Sequence, residues 1–163
     1  MKRNSMKVIG AICVLTMVLI SGCKSNDEYD FGGHFFRNSD YNDSVESVKA
    51  VEKSTLAVEL THETNPKMIK EGETFLEYDA VIDGYDAKIS YRFRNDGLVY
   101  GSVVISGAKN PDKYAKSIQK TFEKNYGEPP VTIPYPDYHG TDHMHRLVYA
   151  EGDKVYITIS DNR

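Results

Sequence analysis

The fold is decided by Phe75-Leu-Glu-Tyr-Asp-Ala-Val-Ile82, Asp83-Gly84 and Tyr85-Asp-Ala-Lys-Ile-Ser-Tyr-Arg-Phe-Arg94, which together predict an antiparallel hairpin. An Asp-Gly pair favours a two-residue type I′ turn because both of its positions need positive φ. The turn fixes which residues face each other across the two strands, and therefore which side of the sheet each residue takes. One side is apolar and carries Leu76, Tyr78, Ala80, Ile82, Tyr85, Ala87, Ile89 and Tyr91.

A third strand follows this hairpin and completes a meander over residues 75–106. Asn95-Asp96-Gly97 predicts a three-residue loop with its glycine in the left-handed bulge position, which pairs Phe93 with Val99. A two-residue loop would instead turn Ser102 toward the apolar side. The sequence therefore favours the bulge.

The segment before the meander contains a first helix. Asp43 and Ser44 offer N-caps, and valines recur after them at helical spacing, which predicts a helix of about residues 45–53. The sequence does not decide whether residues 54–74 extend this helix or form a strand. Asn65-Pro66 predicts a turn within this stretch.

A second helix and a hairpin follow the meander. Asn110 as the cap, Pro111 at the first helical position and Gly127 as the stop predict a helix over residues 111–126. Alternating apolar residues predict a C-terminal hairpin over residues 144–160. The expected fold is α+β, with an antiparallel sheet of about five strands and both helices packed on one face of it.

The chain begins with a secretory leader. Lys2, Arg3 and Lys7 precede an uncharged apolar run over residues 8–20, which is short for a membrane-spanning helix and typical of a signal peptide. The leader ends in Leu19-Ile-Ser-Gly-Cys23, which resembles the bacterial lipobox. This resemblance implies that residues 1–22 are removed and that Cys23 is lipidated. The protein is then expected outside the cytoplasm, anchored by lipid to the cell membrane or the outer membrane.

The part of the chain that follows the leader is acidic. Three of the 20 basic side chains lie in the leader, so residues 23–163 carry 17 basic and 24 acidic side chains, a formal charge of −7. This charge argues against nucleic acid and against electrostatic adhesion to anionic lipid, so acyl chains on Cys23 are expected to provide the membrane attachment. Residues 23–33 read as a tether, and residues 34–163 as a single α+β domain.

Two local motifs resemble a group of small secreted bacterial proteins. Tyr41-Asn-Asp-Ser-Val-Glu-Ser-Val-Lys-Ala-Val-Glu52 is similar to their Trp-Gly-x-Ser-x-x-x-Val-x-x-x-Glu opening, with Tyr and Asn where Trp and Gly are usual. Lys124-Asn-Tyr-Gly-Glu-Pro129 resembles the Lys-Tyr-Gly-x-Pro that closes their second helix, with Asn125 inserted. Their layout is similar to β-lactamase-inhibitor protein and to small outer-membrane-assembly lipoproteins. The resemblance implies a fold, and it carries no catalytic residue.

Ligand chemistry is concentrated in His139-Gly-Thr-Asp-His-Met-His145. On a strand, His143 and His145 point to the same side and could share a transition metal, with Asp142 or His139 as a third ligand. The alternative is a polar loop that runs into a solvent-facing strand, since neither a cysteine ligand nor a regular zinc spacing accompanies the histidines. No cofactor is therefore expected.

The polar side of the meander is a second candidate site. If the helices cover the apolar side, then Lys88, Arg92, Arg94 and Tyr100 share an exposed surface of mixed charge and aromatic character. Proteins use such surfaces to bind protein partners, here expected in the cell envelope. The alternative is an ordinary solvated face of an antiparallel sheet.

The chain has 12 tyrosines and no tryptophan, which invites a carbohydrate-binding interpretation. Four tyrosines are expected in the core, namely Tyr78, Tyr85, Tyr91 and Tyr114. Those expected to be exposed near the last hairpin, where they could bind a glycan, are Tyr135, Tyr138, Tyr149 and Tyr156.

Enzymatic activity finds little support, because the sequence offers no cysteine nucleophile, no nucleophile elbow and no glycine-rich phosphate loop. The expected function is a lipid-anchored extracytoplasmic binding or assembly module that uses the exposed sheet face. The alternative is a metal- or glycan-binding surface lipoprotein that uses residues 139–145 and the tyrosines near them. An enzyme ranks third.

Overall fold

The computed structural model describes residues 34–55, 59–63, 72–130, 135–139 and 144–161. The predicted signal peptide, the predicted lipidation site Cys23 and the predicted tether lie outside these residues. Within the described ranges, no helix is both long enough and apolar enough to cross a membrane.

The fold is α+β, as the sequence predicts. Its elements in chain order are α1 (Val45–Thr55), β1 (Glu59–Glu63), β2 (Glu73–Ile82), β3 (Tyr85–Arg94), β4 (Gly97–Ser106), α2 (Pro111–Tyr126), β5 (Met144–Glu151) and β6 (Lys154–Asp161). The strands form one antiparallel sheet in the order β1-β2-β3-β4-β6-β5. The sheet has six strands where about five were expected, because β1 comes from the stretch that the sequence left undecided.

The β2–β3 hairpin has the predicted register. Leu76 faces Tyr91 and Ile82 faces Tyr85 across the two strands. Asp83 has a φ of 53° and Gly84 a φ of 80°, so both turn positions have the positive φ that a type I′ turn requires. The turn alone was therefore enough to define this pairing.

The β3–β4 turn differs from the prediction. Asn95 and Asp96 have φ values of 48° and 65°, and Arg94 pairs with Gly97, so the loop has two residues rather than three. Short polar side chains tolerate the left-handed region, and no glycine is needed there. Gly97 has another role, because the side chain of Asn42 occupies the space that a Cβ at this position would take.

The bulge that was expected in this turn lies further along β4. Phe93 pairs with Leu98 and Arg92 with Tyr100, so Val99 is the additional residue and the predicted Phe93–Val99 pair is wrong. The displaced bulge compensates for the shorter loop. All later pairs of the meander have the predicted register.

Both helices pack on the apolar face of the sheet. Val48 of α1 and Phe122 of α2 belong to the same core cluster as the apolar residues of β2 to β6. Asn110 caps α2 by accepting a hydrogen bond from the backbone N–H of Lys113 at 3.1 Å, and the N–H of Gly127 closes it on the Glu123 carbonyl at 2.9 Å. Because both helices pack on one face, neither helix covers the opposite face of the sheet.

Candidate functional site

The sheet face turned away from the helices, which we call the outer face, carries three parallel rows of side chains. Each row crosses β2, β3, β4, β6 and β5 in turn. The arginine row is Phe75, Arg92, Tyr100, Ser160 and His145; the hydroxyl row is Glu77, Ser90, Ser102, Thr158 and Leu147; the tyrosine row is Asp79, Lys88, Val104, Tyr156 and Tyr149. Residues that are distant in sequence are thus neighbours on one surface.

The four residues predicted to bind a partner, Lys88, Arg92, Arg94 and Tyr100, all lie on β3 and β4 and share this outer face. Lys88 already has a partner, since its Nζ lies 3.0 Å from Asp79 Oδ1. That hydrogen bond raises the pKa of Lys88 above its ordinary value. Both side chains are well exposed, so the pair contributes little to stability.

Arg92 contacts an aromatic ring, whereas Lys88 contacts a carboxylate. Its Cζ lies over the Tyr100 ring, 5.4 Å from the centroid, within the range of a cation–π contact. Its Nε is buried and has no hydrogen-bond partner among the described residues. The ion pairs within the described ranges include neither Arg92 nor the exposed Arg94. Two guanidinium groups therefore stand two residues apart on β3 without a carboxylate from this part of the chain.

Short hydroxyl side chains lie in the middle of the outer face. Ser90, Ser102 and Thr158 have short side chains and lie between the taller arginine and tyrosine rows. Ser102 is only 7% exposed although it lies on the outer face, between Tyr100 and Val104 along β4. The middle of the outer face thus offers hydroxyl groups, and the rows on either side of it contain aromatic rings.

Three tyrosines are stacked at one end of this face. The rings of Tyr135 and Tyr149 lie 3.9 Å apart at 12°, and those of Tyr149 and Tyr156 lie 4.9 Å apart at 10°. Tyr149 is thus covered on both ring faces, and burial raises its pKa. A sugar ring stacks on an open aromatic face, so among these three tyrosines Tyr135 and Tyr156, which are each stacked on one side by Tyr149, are the ones that could bind a glycan in this way.

Tyr138 is not part of that surface, and the expectation that it is exposed was wrong. It is 1% exposed and packs edge-on against Phe122 of α2, with ring centroids 5.7 Å apart. Its burial raises the pKa of the phenol to about 12. Tyr138 faces inward because residues 135–139 run beside β5 with the alternation of a strand, which brings Tyr135, Asp137 and His139 outward.

The predicted histidine site is partly assembled. His139 and His145 come together with ring centroids 4.4 Å apart. Their third neighbour is Asp137, whose Oδ2 lies 2.8 Å from His139 Nε2 and 2.6 Å from His145 Nδ1. Asp142 and His143, the other two predicted ligands, lie outside the described residues. The sequence pattern missed Asp137, although the alternation of Tyr135, Asp137 and His139 was a signal for it.

Comparison with known proteins finds no matching family model, no matching curated protein and no matching solved structure.

Proposed function

We propose that this protein is a lipid-anchored, extracytoplasmic binding or assembly module that contacts a protein partner through its outer sheet face. The lipobox-like sequence before Cys23 supports the anchor. The observation that carries the contact surface is the guanidinium of Arg92, stacked on Tyr100 and without a carboxylate partner among the described residues.

The chemistry of the partner follows from this arrangement. An arginine that is already ordered by an aromatic ring loses little conformational entropy when it binds, and arginine and tyrosine are enriched among the residues that dominate interfaces. Residues 23–163 carry a formal charge of −7, and within them Arg92 and Arg94 form a local basic site. A partner segment that places a carboxylate over Arg92 and lies along the hydroxyl row would match both the charge of Arg92 and the hydroxyl groups beside it.

The competing explanation is a solvated sheet face without a partner, and an affinity experiment separates the two. The lipidated protein is used to capture partners from detergent-solubilised envelopes, and the bound proteins are identified by mass spectrometry. Arg92→Glu combined with Tyr100→Ala should leave the fold intact, by circular dichroism, and should abolish the capture of a specific partner.

The matched control removes a cation and a tyrosine at positions away from the outer face. Lys116→Glu combined with Tyr41→Ala removes one cation and one tyrosine from the helix side and from the N-terminal segment. This control should capture the partner as the wild type does. Capture that is unchanged in the Arg92→Glu, Tyr100→Ala protein would contradict the proposed surface.

A further inference from the structure

Three potential metal ligands converge at the edge of the outer face. Asp137, His139 and His145 each offer one ligand atom, and these atoms all lie within 4.8 Å of one another. We propose that they form a binding site for a divalent transition-metal ion of the zinc class, with both imidazoles and the carboxylate as direct ligands.

The backbone explains why these side chains meet. The N–H of Tyr138 donates a hydrogen bond to the carbonyl of Arg146 at 2.9 Å, and Asp137 forms a β-bridge with Leu147. With Tyr138 locked into the core, its neighbours Asp137 and His139 must point outward. There they meet His145, which alternates with the inward-facing Arg146 on β5.

The ligand set suits a transition metal. Imidazole nitrogen together with one carboxylate oxygen is a common combination for zinc, with metal–ligand lengths of about 2.0–2.2 Å, so that tetrahedral ligand atoms lie about 3.3 Å apart. Here one carboxylate oxygen lies 2.8 Å and 2.6 Å from the two ring nitrogens. These two distances are shorter than the spacing of tetrahedral ligand atoms, and all three ligand atoms lie within 4.8 Å of one another, so side-chain adjustments within the cluster would place them around a metal ion.

The groups behind the ligands hold them in place. Asp137 Oδ1 accepts the backbone N–H of Arg146 at 3.2 Å, and Arg146 Nη1 donates to the His139 carbonyl at 3.1 Å. Arg146 is itself 2% exposed, and its Cζ lies 4.0 Å from the centroid of the Tyr126 ring. Such outer-sphere contacts orient metal ligands and raise metal affinity.

One side of the site is open to solvent. The His139 side chain is 36% exposed and that of His145 is 29% exposed, whereas Asp137 is 15% exposed. Three protein ligands and an open side leave a coordination position for water or for a group on a bound molecule. The competing explanation is a hydrogen-bonded polar cluster that never takes up an ion.

Isothermal titration of the full chain in detergent with zinc chloride tests the proposal, and cobalt(II) absorption reports the ligand number. We expect one ion per chain, with at least a tenfold loss of affinity in Asp137→Asn and in His145→Ala. His139→Ala, which lies outside the regular strands, should show the same loss if either of the other variants fails to fold.

The matched control is His34→Ala, because His34 pairs with a single carboxylate, Asp40, at 2.7 Å on an exposed part of the chain. Its affinity for zinc should equal that of the wild type. The proposal is overturned if the wild type shows no saturable uptake. It is also overturned if His34→Ala loses as much affinity as the folded cluster variants do, or if those variants keep the wild-type affinity.

Discussion

The phenolic hydroxyl of Tyr91 donates a hydrogen bond to the carboxylate of Glu52 inside the core, where both residues are fully buried. Arg37 donates to the same oxygen from Nε at 3.0 Å. These contacts join β3, α1 and the segment that follows the predicted tether. On its inner side, β3 is therefore hydrogen-bonded to α1 in the N-terminal part of the domain, and on its other side the same strand forms part of the outer face.

Removing the positive charge of Arg37 from this cluster should lower the free energy of unfolding substantially. Arg37→Met leaves the Glu52 carboxylate buried with one fewer donor, and breaking a buried ion pair from one side typically costs about 3–5 kcal/mol. Lys88→Met, which breaks the exposed pair with Asp79, should cost less than about 1 kcal/mol. Urea unfolding of the two variants measures the difference. Equal losses of unfolding free energy in both variants would contradict the cluster's role.

Removing the buried hydroxyl of Tyr78 should not destabilise the protein, in contrast to removing the charge of Arg37. Tyr78 is 2% exposed, and its hydroxyl has no hydrogen-bond partner among the described residues. Tyr78→Phe removes an unsatisfied polar atom and keeps the ring, so it should leave the free energy of unfolding unchanged or raise it by about 1 kcal/mol. Tyr91→Phe, which takes a donor from Glu52, is the matched control and should destabilise. A clear loss of stability in Tyr78→Phe would show that its hydroxyl has a partner.

The buried phenols also predict a loss of stability at high pH. Burial raises the pKa of Tyr78 and of Tyr138 to about 12 in the folded protein, from an ordinary value of about 10. Between these values the unfolded chain has released the protons that the folded protein keeps, so the free energy of unfolding falls as the pH rises from about 10 to 12. Below about pH 10 both phenols keep their protons in the folded and in the unfolded protein, so they no longer make the free energy of unfolding depend on pH.

Tyr138→Phe tests that dependence directly. The variant should show a shallower fall in melting temperature between pH 10 and pH 12 than the wild type, as followed by circular dichroism. The control is Tyr41→Phe, because Tyr41 is exposed to solvent at 36%. This variant should show the same fall in melting temperature with pH as the wild type. A wild-type slope in Tyr138→Phe would mean that its phenol is not the group that titrates.

The sheet could be predicted from the sequence because local chemistry determines it. Asp83-Gly84 defines the first turn, and Asn110, Pro111 and Gly127 bound α2, so these features needed no knowledge of distant contacts. The position of the bulge in β4, at Val99, depends on packing against residues that are distant in sequence. Gly97 lies against Asn42 rather than in the left-handed conformation, and a contact between two segments so far apart is not encoded by turn preferences.

The outer face was predictable where strand alternation and hairpin register place its residues. Arg92 and Arg94 share one face of β3 by simple alternation, and Tyr100 joins them through the meander register. Asp137 was missed because its position depends on residues 135–139 running beside β5, a tertiary arrangement. Tyr138 was expected to be exposed for the same reason, since nothing in its neighbourhood shows that α2 lies above it.

A close contact within the sheet predicts a sensitive glycine. A Cβ on Gly101 would overlap the ring of Phe36, which is fully buried and lies edge-on to Tyr91 with ring centroids 5.2 Å apart. Gly101→Ala should therefore destabilise the protein by about 1–3 kcal/mol or more through overpacking. Ser102→Ala, at the next residue but on the outer face, should have a much smaller effect in the same urea titration. Similar midpoints for both variants would contradict this packing.

The anchor has its own test, which is independent of the outer face. Intact mass spectrometry of the protein from bacterial membranes should show residues 23–163 with a diacylglycerol group, and Cys23→Ser should release the protein from the membrane fraction or leave it unprocessed. An unmodified cysteine in the membrane-bound protein would contradict the lipid anchor.

Photo-crosslinking from two positions tests the central claim most directly. A photoreactive amino acid replaces Val104, on the outer face beside Lys88 and Tyr156, or replaces Lys116, on the solvent side of α2. In whole cells, a specific protein should crosslink from position 104 and not from position 116, and Arg92→Glu with Tyr100→Ala should remove that crosslink. A specific crosslink from position 116 alone, or one at position 104 that survives this double substitution, would contradict the outer face as the contact surface.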